Sequence, residues 1–222
     1  MMAPMDLRRV VDTAGLRRRR YERLARLVGL GPTDTIVDIG CGPGGGAIAA
    51  LNQTNPIVGV DLLPAERVIV ANRPNFSYRM ADATDLSAFA DGEFDVAFSV
   101  GLLEHIRPDD RLAVGIAELR RVAHRYCAVV PHRAAFLEPH FQVPFFSLWP
   151  DALKTAVTRG VALGTQPQRP AGDWQRIHWL SGGEWLRRFD DPTARAYRHW
   201  YGPLLQYTII AGGEGMPLDQ RG

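Results

Sequence analysis

Lysine is almost missing from this chain. Of its 26 basic residues only Lys154 is a lysine, a bias that reads as the imprint of a GC-rich genome rather than as chemistry. Cysteine is scarce too: Cys41 and Cys127 lie far apart, each in an apolar stretch. That excludes a disulfide framework and any cysteine-based metal spacing, and suits a reduced, cytoplasmic interior. No apolar run approaches the roughly 18 residues a membrane span needs. The opening MMAPMDLRRVVD lacks the hydrophobic stretch of a secretory signal, so a cytoplasmic location is expected. Excess charge is also lacking. A net +2 gives no global pull toward nucleic acid or anionic membrane, and no nucleic-acid partner is expected. What remains is an ordinary globular composition, 46% hydrophobic and 23% charged over 222 residues. It is enough for one domain, 1–222, with a sizeable core.

Residues 16–28 carry helical periodicity, with Leu16, Leu24, Leu27 and Val28 on one face and arginines elsewhere. TIVDIG (35–40) then reads as a buried strand, and the Gly-rich CGPGGG opens a helix of small residues, 47–51. IVGVDL (57–62) reads as a strand, followed by a helix over 65–72 that Pro74 stops. FSYRMA (76–81), FDVAFSV (94–100) after an Asp91-Gly92 turn, and YCAVVP (126–131) supply further strands. Between the last two, a helix starting at Pro108-Asp109 places Leu112, Ile116, Leu119 and Ala123 on one side. Strands alternating with helices argue for a parallel sheet covered on both faces. Residues 132–180 break the rhythm with aromatics, prolines and histidines. Order resumes in a Ser181-started helix and in an antiparallel hairpin of 194–201 and 204–212 around Gly202-Pro203.

The segment VDIGCGPGG (37–45) carries the chemistry. Glycine lets the backbone turn sharply and approach a ligand, and a helix N-terminus behind it offers free N–H groups. Gly40, Gly42 and Gly45 also satisfy the dinucleotide fingerprint, so an NAD(P)-dependent oxidoreductase is the alternative reading. Three acids shift the balance. Asp61 ends the second strand, where a carboxylate can accept both ribose hydroxyls. Asp38 puts negative charge beneath the loop, useful against an amino or sulfonium group and unwelcome beside a pyrophosphate. Asp82 follows the third strand in MADATDL, placed for an adenine amino group. The missing Tyr-x-x-x-Lys pair also weighs against the oxidoreductase. A binding module that has lost turnover is a third reading.

With these residues the sequence resembles the class I (Rossmann-like) S-adenosylmethionine-dependent methyltransferases, in the group of unassigned substrate. VDIGCGPGG matches the glycine motif, VGVDLLP the ribose acid, MADATDL the adenine motif and FDVAFSVGLLEHI the fourth-strand motif, together covering about 34–131. The resemblance implies a three-layer αβα sandwich whose seven-stranded, mostly parallel sheet has an antiparallel last strand. It also implies S-adenosylmethionine as cofactor, S-adenosylhomocysteine as product, and no metal. Carried over, Asp38 and the Gly40–Cys41–Gly42 backbone hold the methionine end. Asp61 and Leu62 frame the ribose, Asp82 and Ala83 the adenine, and Ser99, Val100 and Gly101 line the inner side.

Methyl transfer needs a base only if the acceptor must lose a proton. His105 is the first candidate, with a structural histidine as the plainer reading. His132 and His140 are weaker ones, and His178 and His199 fall to surface or hairpin packing. Residues 132–180 follow the fifth strand on the ligand edge and read as an inserted cap or lid. Phe136, Phe141, Phe145, Phe146, Leu148 and Trp149 would make it apolar, with His132, His140, Phe141 and Phe145 toward the acceptor. The run resembles segments of some bacterial methyltransferases of unassigned substrate; a lipid-contacting segment is a third possibility. The acceptor expected is a small or lipid-like molecule. Arg17–Arg20 read as a solvated helix face, with Tyr21 within reach of the cofactor.

Overall fold

The computed structural model describes residues 13–43, 54–68, 74–160 and 173–217. Seven strands form one sheet: β1 (Ile36–Ile39), β2 (Ile57–Asp61), β3 (Phe76–Met80), β4 (Phe94–Val100), β5 (Ala123–Pro131), β6 (Arg195–Tyr201) and β7 (Leu205–Gly213). Their order is β3-β2-β1-β4-β5-β7-β6. Neighbours from β3 through β5 run parallel, and β7 enters antiparallel between β5 and β6. The sheet is thus the mostly parallel one the strand pattern implied, closed by the hairpin. All four residues of β1 are buried, the acid Asp38 among them, as are the last six of β5; strands covered on both faces are otherwise apolar. Chain order reverses between β1 and β4. That switch point opens a crevice at the carboxyl ends of the strands, where open α/β sheets bind ligands.

Helices α1 (Thr13–Leu27), α2 (Asp109–Arg121), α3 (Asp151–Gly160) and α4 (Gly182–Phe189) accompany the sheet. Leu24, Leu27 and Val28 bury against one face with Ile36, Phe98 and Ile209. Leu112, Ile116 and Leu119 of α2 and Trp185 and Phe189 of α4 fill the other. Acids open α2 (Asp109, Asp110) and arginines close it (Arg120, Arg121), which suits the helix dipole. Ser181 caps α4 through a reciprocal pair with Glu184, as the sequence predicts.

One expectation needs correction, and two reach beyond the described residues. Ala123 does not sit on α2: the Phe94 N–H binds the Val122 carbonyl at 3.0 Å, drawing the chain into the sheet, so β5 starts at Ala123. The helix expected over 65–72 appears as a 3-10 turn, Ala65–Arg67, that buries nothing, and 69–73 lie outside the described residues. The small-residue helix at 47–51 and Gly45 also lie outside them.

The stretch after β5 is not irregular throughout. It contains α3 and a separate apolar cluster, with Phe141, Phe146, Trp174 and Ile177 buried and Trp149 and Trp179 packed around them. Phe141 and Phe146 stack at 4.3 Å. The lone lysine belongs here too. Lys154 is 5% exposed, its Nζ 4.9 Å from the Trp174 ring and 5.0 Å from Trp179, with Asp151 at 3.2 Å. An ammonium shared by two indole faces and a carboxylate is held by cation–π attraction as well as charge. Codon bias does not account for that position.

Candidate active site

The β1 strand ends in a turn held by β2. The N–H groups of Gly40 and Cys41 both donate to the Val60 carbonyl, at 2.7 and 3.1 Å. Gly40 has φ +81°, and a Cβ there would lie 2.9 Å from Leu102 Cβ, so only glycine fits without displacement. The Asp61 carboxylate then secures the loop, accepting from Gly42 N–H at 2.8 Å and Leu63 N–H at 3.2 Å. Tyr78 donates to the Asp61 carbonyl at 2.9 Å, fixing the strand end from below. Cys41 points inward, 2% exposed, leaving only its backbone for a ligand. Burial, then Asp38 and Asp61, push its thiol up to about 12.

Asp38 lies beneath this loop, 1% exposed, with Oδ2 lacking any partner among the described residues. Burial, reinforced by the Asp61 charge, pushes its carboxyl up to about 8. A cavity of about 280 Å³ opens above, walled by Gly40, Asp61, Leu62, Asp82, Ala83 and His105. Asp82 is already engaged. Burial alone would raise it, but the Thr84 N–H and hydroxyl (2.9 and 2.8 Å) and Arg111 (2.6 Å) outweigh this and lower its pKa. Ser99, Val100 and Gly101 do not line the cavity; Leu102, His105 and Ile106 take that wall. Ser99 is buried with its hydroxyl unpartnered among the described residues.

The 3-10 turn Leu103–His105 brings a second group together. His105 is exposed at the cavity wall, with Nε2 3.1 Å from Nε2 of His140 and the rings crossing at 87°. His140 Nδ1 is 2.7 Å from Glu138 Oε1. Glu138, 1% exposed, also accepts from the backbone N–H groups of His140 and Phe141, each at 2.7 Å, and from the Trp179 indole at 3.4 Å. Glu104 completes the set, 2% exposed, with Oε1 3.9 Å from His140 Nε2. Its Oε2 has no partner among the described residues. Burial pushes the Glu104 carboxyl up to about 7, although His140 pulls it down. Neither Glu138 nor Glu104 is among the candidates that the sequence offers. The one available signal was a Glu/His pair in both LEHI and EPHF.

The other expected site residues sit apart. His132 places Nδ1 2.9 Å from the Thr208 hydroxyl and does not line the cavity. Phe141 is buried in the cap's own core, and Phe145, 44% exposed, meets Phe136 edge-on at 5.3 Å. His199 is buried in the β6–β7 hairpin, as expected, whereas His178 is buried rather than on the surface. His178 donates from Nε2 to the Ile106 carbonyl at 2.8 Å, and its backbone N–H donates to the Glu104 carbonyl. It therefore clamps the turn that carries His105. Burial, then Arg23 and Arg20, lower His199 to about 4. Tyr21 packs on the core cluster beneath α1 and does not line the cavity. Arg18 and Arg19 are solvated, whereas Arg20 lies over Tyr201 at 5.0 Å.

Comparison with known proteins agrees with this frame. Residues 37–127 match the profile of the family described as a methyltransferase domain. Two uncharacterized proteins of Mycobacterium tuberculosis, from strains CDC 1551 and H37Rv, are each 29% identical over 117 residues. The match takes in 52% of this chain and 39% of theirs, so the chain spans about two fifths of the length of these curated relatives. Among solved structures, the geranyl diphosphate C-methyltransferase of Streptomyces coelicolor A3(2) superposes with a TM-score of 0.58 at 17% identity, covering 90% of this chain and 81% of that one. The 1,6-didemethyltoxoflavin-N1-methyltransferase of Burkholderia thailandensis gives 0.57 at 16%, covering 93% and 81%. The magnesium protoporphyrin IX methyltransferase of Synechocystis PCC 6803 gives 0.57 at 14%, covering 96% and 90%. Residues 37–127 thus match a methyltransferase-domain family, and the chain has the Rossmann-like fold of these solved methyltransferases.

Proposed function

We propose that this chain transfers the methyl group of S-adenosylmethionine to a small-molecule or lipid-like acceptor. One observation carries the reading: a buried carboxylate, Asp38, with an oxygen unpartnered among the described residues, lies under a glycine loop that Asp61 holds in place. The charge Asp38 takes on when it releases its proton suits the cationic methionine end and would repel a pyrophosphate, which argues against the dinucleotide alternative. The residues fit the cofactor along its length. Asp38 and the Gly40–Gly42 backbone would hold the amino-acid end, Asp61 and Leu62 the ribose, and Asp82 and Ala83 the adenine. When bound, the cofactor supplies an electrophilic methyl with its own leaving group. The protein's work is then to orient, to exclude water and, where the acceptor requires it, to take a proton. We assign that proton to His105, a reading supported by its sharing the cavity wall with Gly40 and Asp61.

The cap over 132–180 is read as the acceptor's cover, with Phe141 and Phe146 giving it a rigid core. The solved methyltransferases named above act on a prenyl diphosphate, a porphyrin and a toxoflavin precursor. This fold thus serves small acceptors of different shapes, which supports a small acceptor here over nucleic acid.

Calorimetry with S-adenosylhomocysteine and with NADH tests the reading. Stoichiometric S-adenosylhomocysteine binding is expected; tight NADH binding without it would overturn the proposal. Asp61→Ala is expected to weaken S-adenosylhomocysteine by about 1–3 kcal/mol, the range for losing a charged hydrogen-bond partner. An unchanged affinity would remove Asp61 from the ribose.

A further inference from the structure

We infer that Glu104, His105 and His140 form a binding site for a divalent first-row transition-metal ion on the acceptor side of the cavity, with Glu138 orienting His140. The three side chains come from segments 35 residues apart, yet their ligating atoms all lie within 4.8 Å of one another.

Geometry supports ligation. Metal–nitrogen bonds of about 2.0–2.1 Å, at right-angled to tetrahedral openings, hold two ligand nitrogens roughly 2.9–3.4 Å apart. The two Nε2 atoms stand at 3.1 Å. Tautomer chemistry points the same way. Glu138 Oε1, 2.7 Å from His140 Nδ1, can only accept, so the proton sits on Nδ1 and the Nε2 lone pair faces His105 and Glu104. Carboxylates behind metal-binding histidines set the ring in this manner. Glu138 is itself held by two backbone N–H groups and an indole, so the orientation is built in rather than incidental.

The independent observation is Glu104. A carboxylate 2% exposed with one oxygen unpartnered among the described residues is costly unless a cation stands within reach. A bare His105–His140 hydrogen bond leaves this carboxylate uncompensated; an ion held by the two imidazoles and by Oε1, which lies 3.9 Å from His140 Nε2, would compensate its charge. Two imidazoles and one carboxylate suit zinc, cobalt or manganese better than magnesium or calcium, which prefer all-oxygen shells. Three protein ligands leave coordination positions open, as catalytic sites do. Since His105 lines the cavity, those positions would take an oxygen atom of the acceptor, such as a hydroxyl or carboxylate. That the ion serves the acceptor rests on the methyltransferase reading; that it binds does not.

The test uses the full chain stripped with EDTA and titrated with Zn²⁺ by calorimetry and with Co²⁺ by visible absorption. One ion per chain is expected. Millimolar Mg²⁺ is expected not to compete. Glu138→Gln, which keeps the shape of the buried side chain, should weaken binding about 10–100-fold. His105→Ala and His140→Ala should abolish stoichiometric binding, while S-adenosylhomocysteine affinity in His140→Ala stays near that of the wild type. Absence of stoichiometric Zn²⁺ and Co²⁺ binding, or binding that persists in both alanine variants, overturns the site. Failure of S-adenosylhomocysteine to bind the unmutated chain would instead strike the methyltransferase reading and leave the metal result standing.

Discussion

Asp38→Asn is expected to stabilise the ligand-free chain at neutral pH while removing most of its affinity for S-adenosylhomocysteine. The carboxyl is 1% exposed, and burial followed by the Asp61 charge raises it to about 8, against roughly 4 in the unfolded chain. A value raised on folding means that the native state holds the proton more tightly. The resulting stabilisation is complete below about pH 4 and is lost as pH rises toward 8. By pH 7 about 3–4 kcal/mol is gone, at 1.36 kcal/mol per unit. Asparagine never ionises, so it escapes that loss. The stability difference between variant and wild type, from urea unfolding, should be small at pH 5 and reach a few kcal/mol at pH 8. A difference that does not grow with pH would contradict the assignment.

Ligand affinity should move the other way. Asp38 must shed its proton to receive the cationic end of the ligand, so wild-type binding should strengthen between pH 6 and 8 and release protons in calorimetry. Asp38→Asn should lose that pH dependence and bind about 100-fold or more weakly, the scale for removing one partner of a buried charge pair.

Gly40→Ala has the second large expected effect, and here stability and binding fall together. The φ of +81° is strained for any residue with a Cβ, and the added carbon would lie 2.9 Å from both Cβ and Cδ2 of Leu102. Backbone strain of this kind costs about 1–3 kcal/mol. Leu102 precedes the turn carrying Glu104 and His105, so its displacement passes from the cofactor loop to the acceptor wall. Thermal unfolding should show the lowered midpoint, and S-adenosylhomocysteine titration should show at least about a tenfold loss. Wild-type behaviour in both would mean that Leu102 yields freely. By contrast, a Cβ at Gly42 would meet nothing within 4 Å, so any cost there comes from its φ of +68° and not from crowding.

The sheet and the strand-end residues that wall the cavity were legible because each rests on local pattern. Parallel strands covered on both faces are mostly apolar, and the acids Asp38, Asp61 and Asp82 fall together at the strand ends once the strands are parallel and adjacent. The acceptor half was not legible. His105 and His140 meet because the cap turns back through Gln142 and Phe145, both at positive φ, where non-glycine residues give no warning. Glu104 and Glu138 owe their character to burial, which no spacing rule conveys. Ala123 was misplaced for a related reason: helical periodicity runs on past Arg121, but pairing with Phe94 takes that residue for the sheet.

The aromatic cage around Lys154 has a consequence for how this protein meets reagents and modifying enzymes. As the chain's single lysine, it carries the only ε-amine, and the fold hides it at 5% exposure between Trp174 and Trp179. Acylation at any side-chain amine therefore has to wait for the side chains around Lys154 to move aside. The rate at which an amine-selective probe labels Lys154, followed by intact mass, becomes a direct clock for that movement. An acceptor or metal ion that holds those side chains in place should slow it.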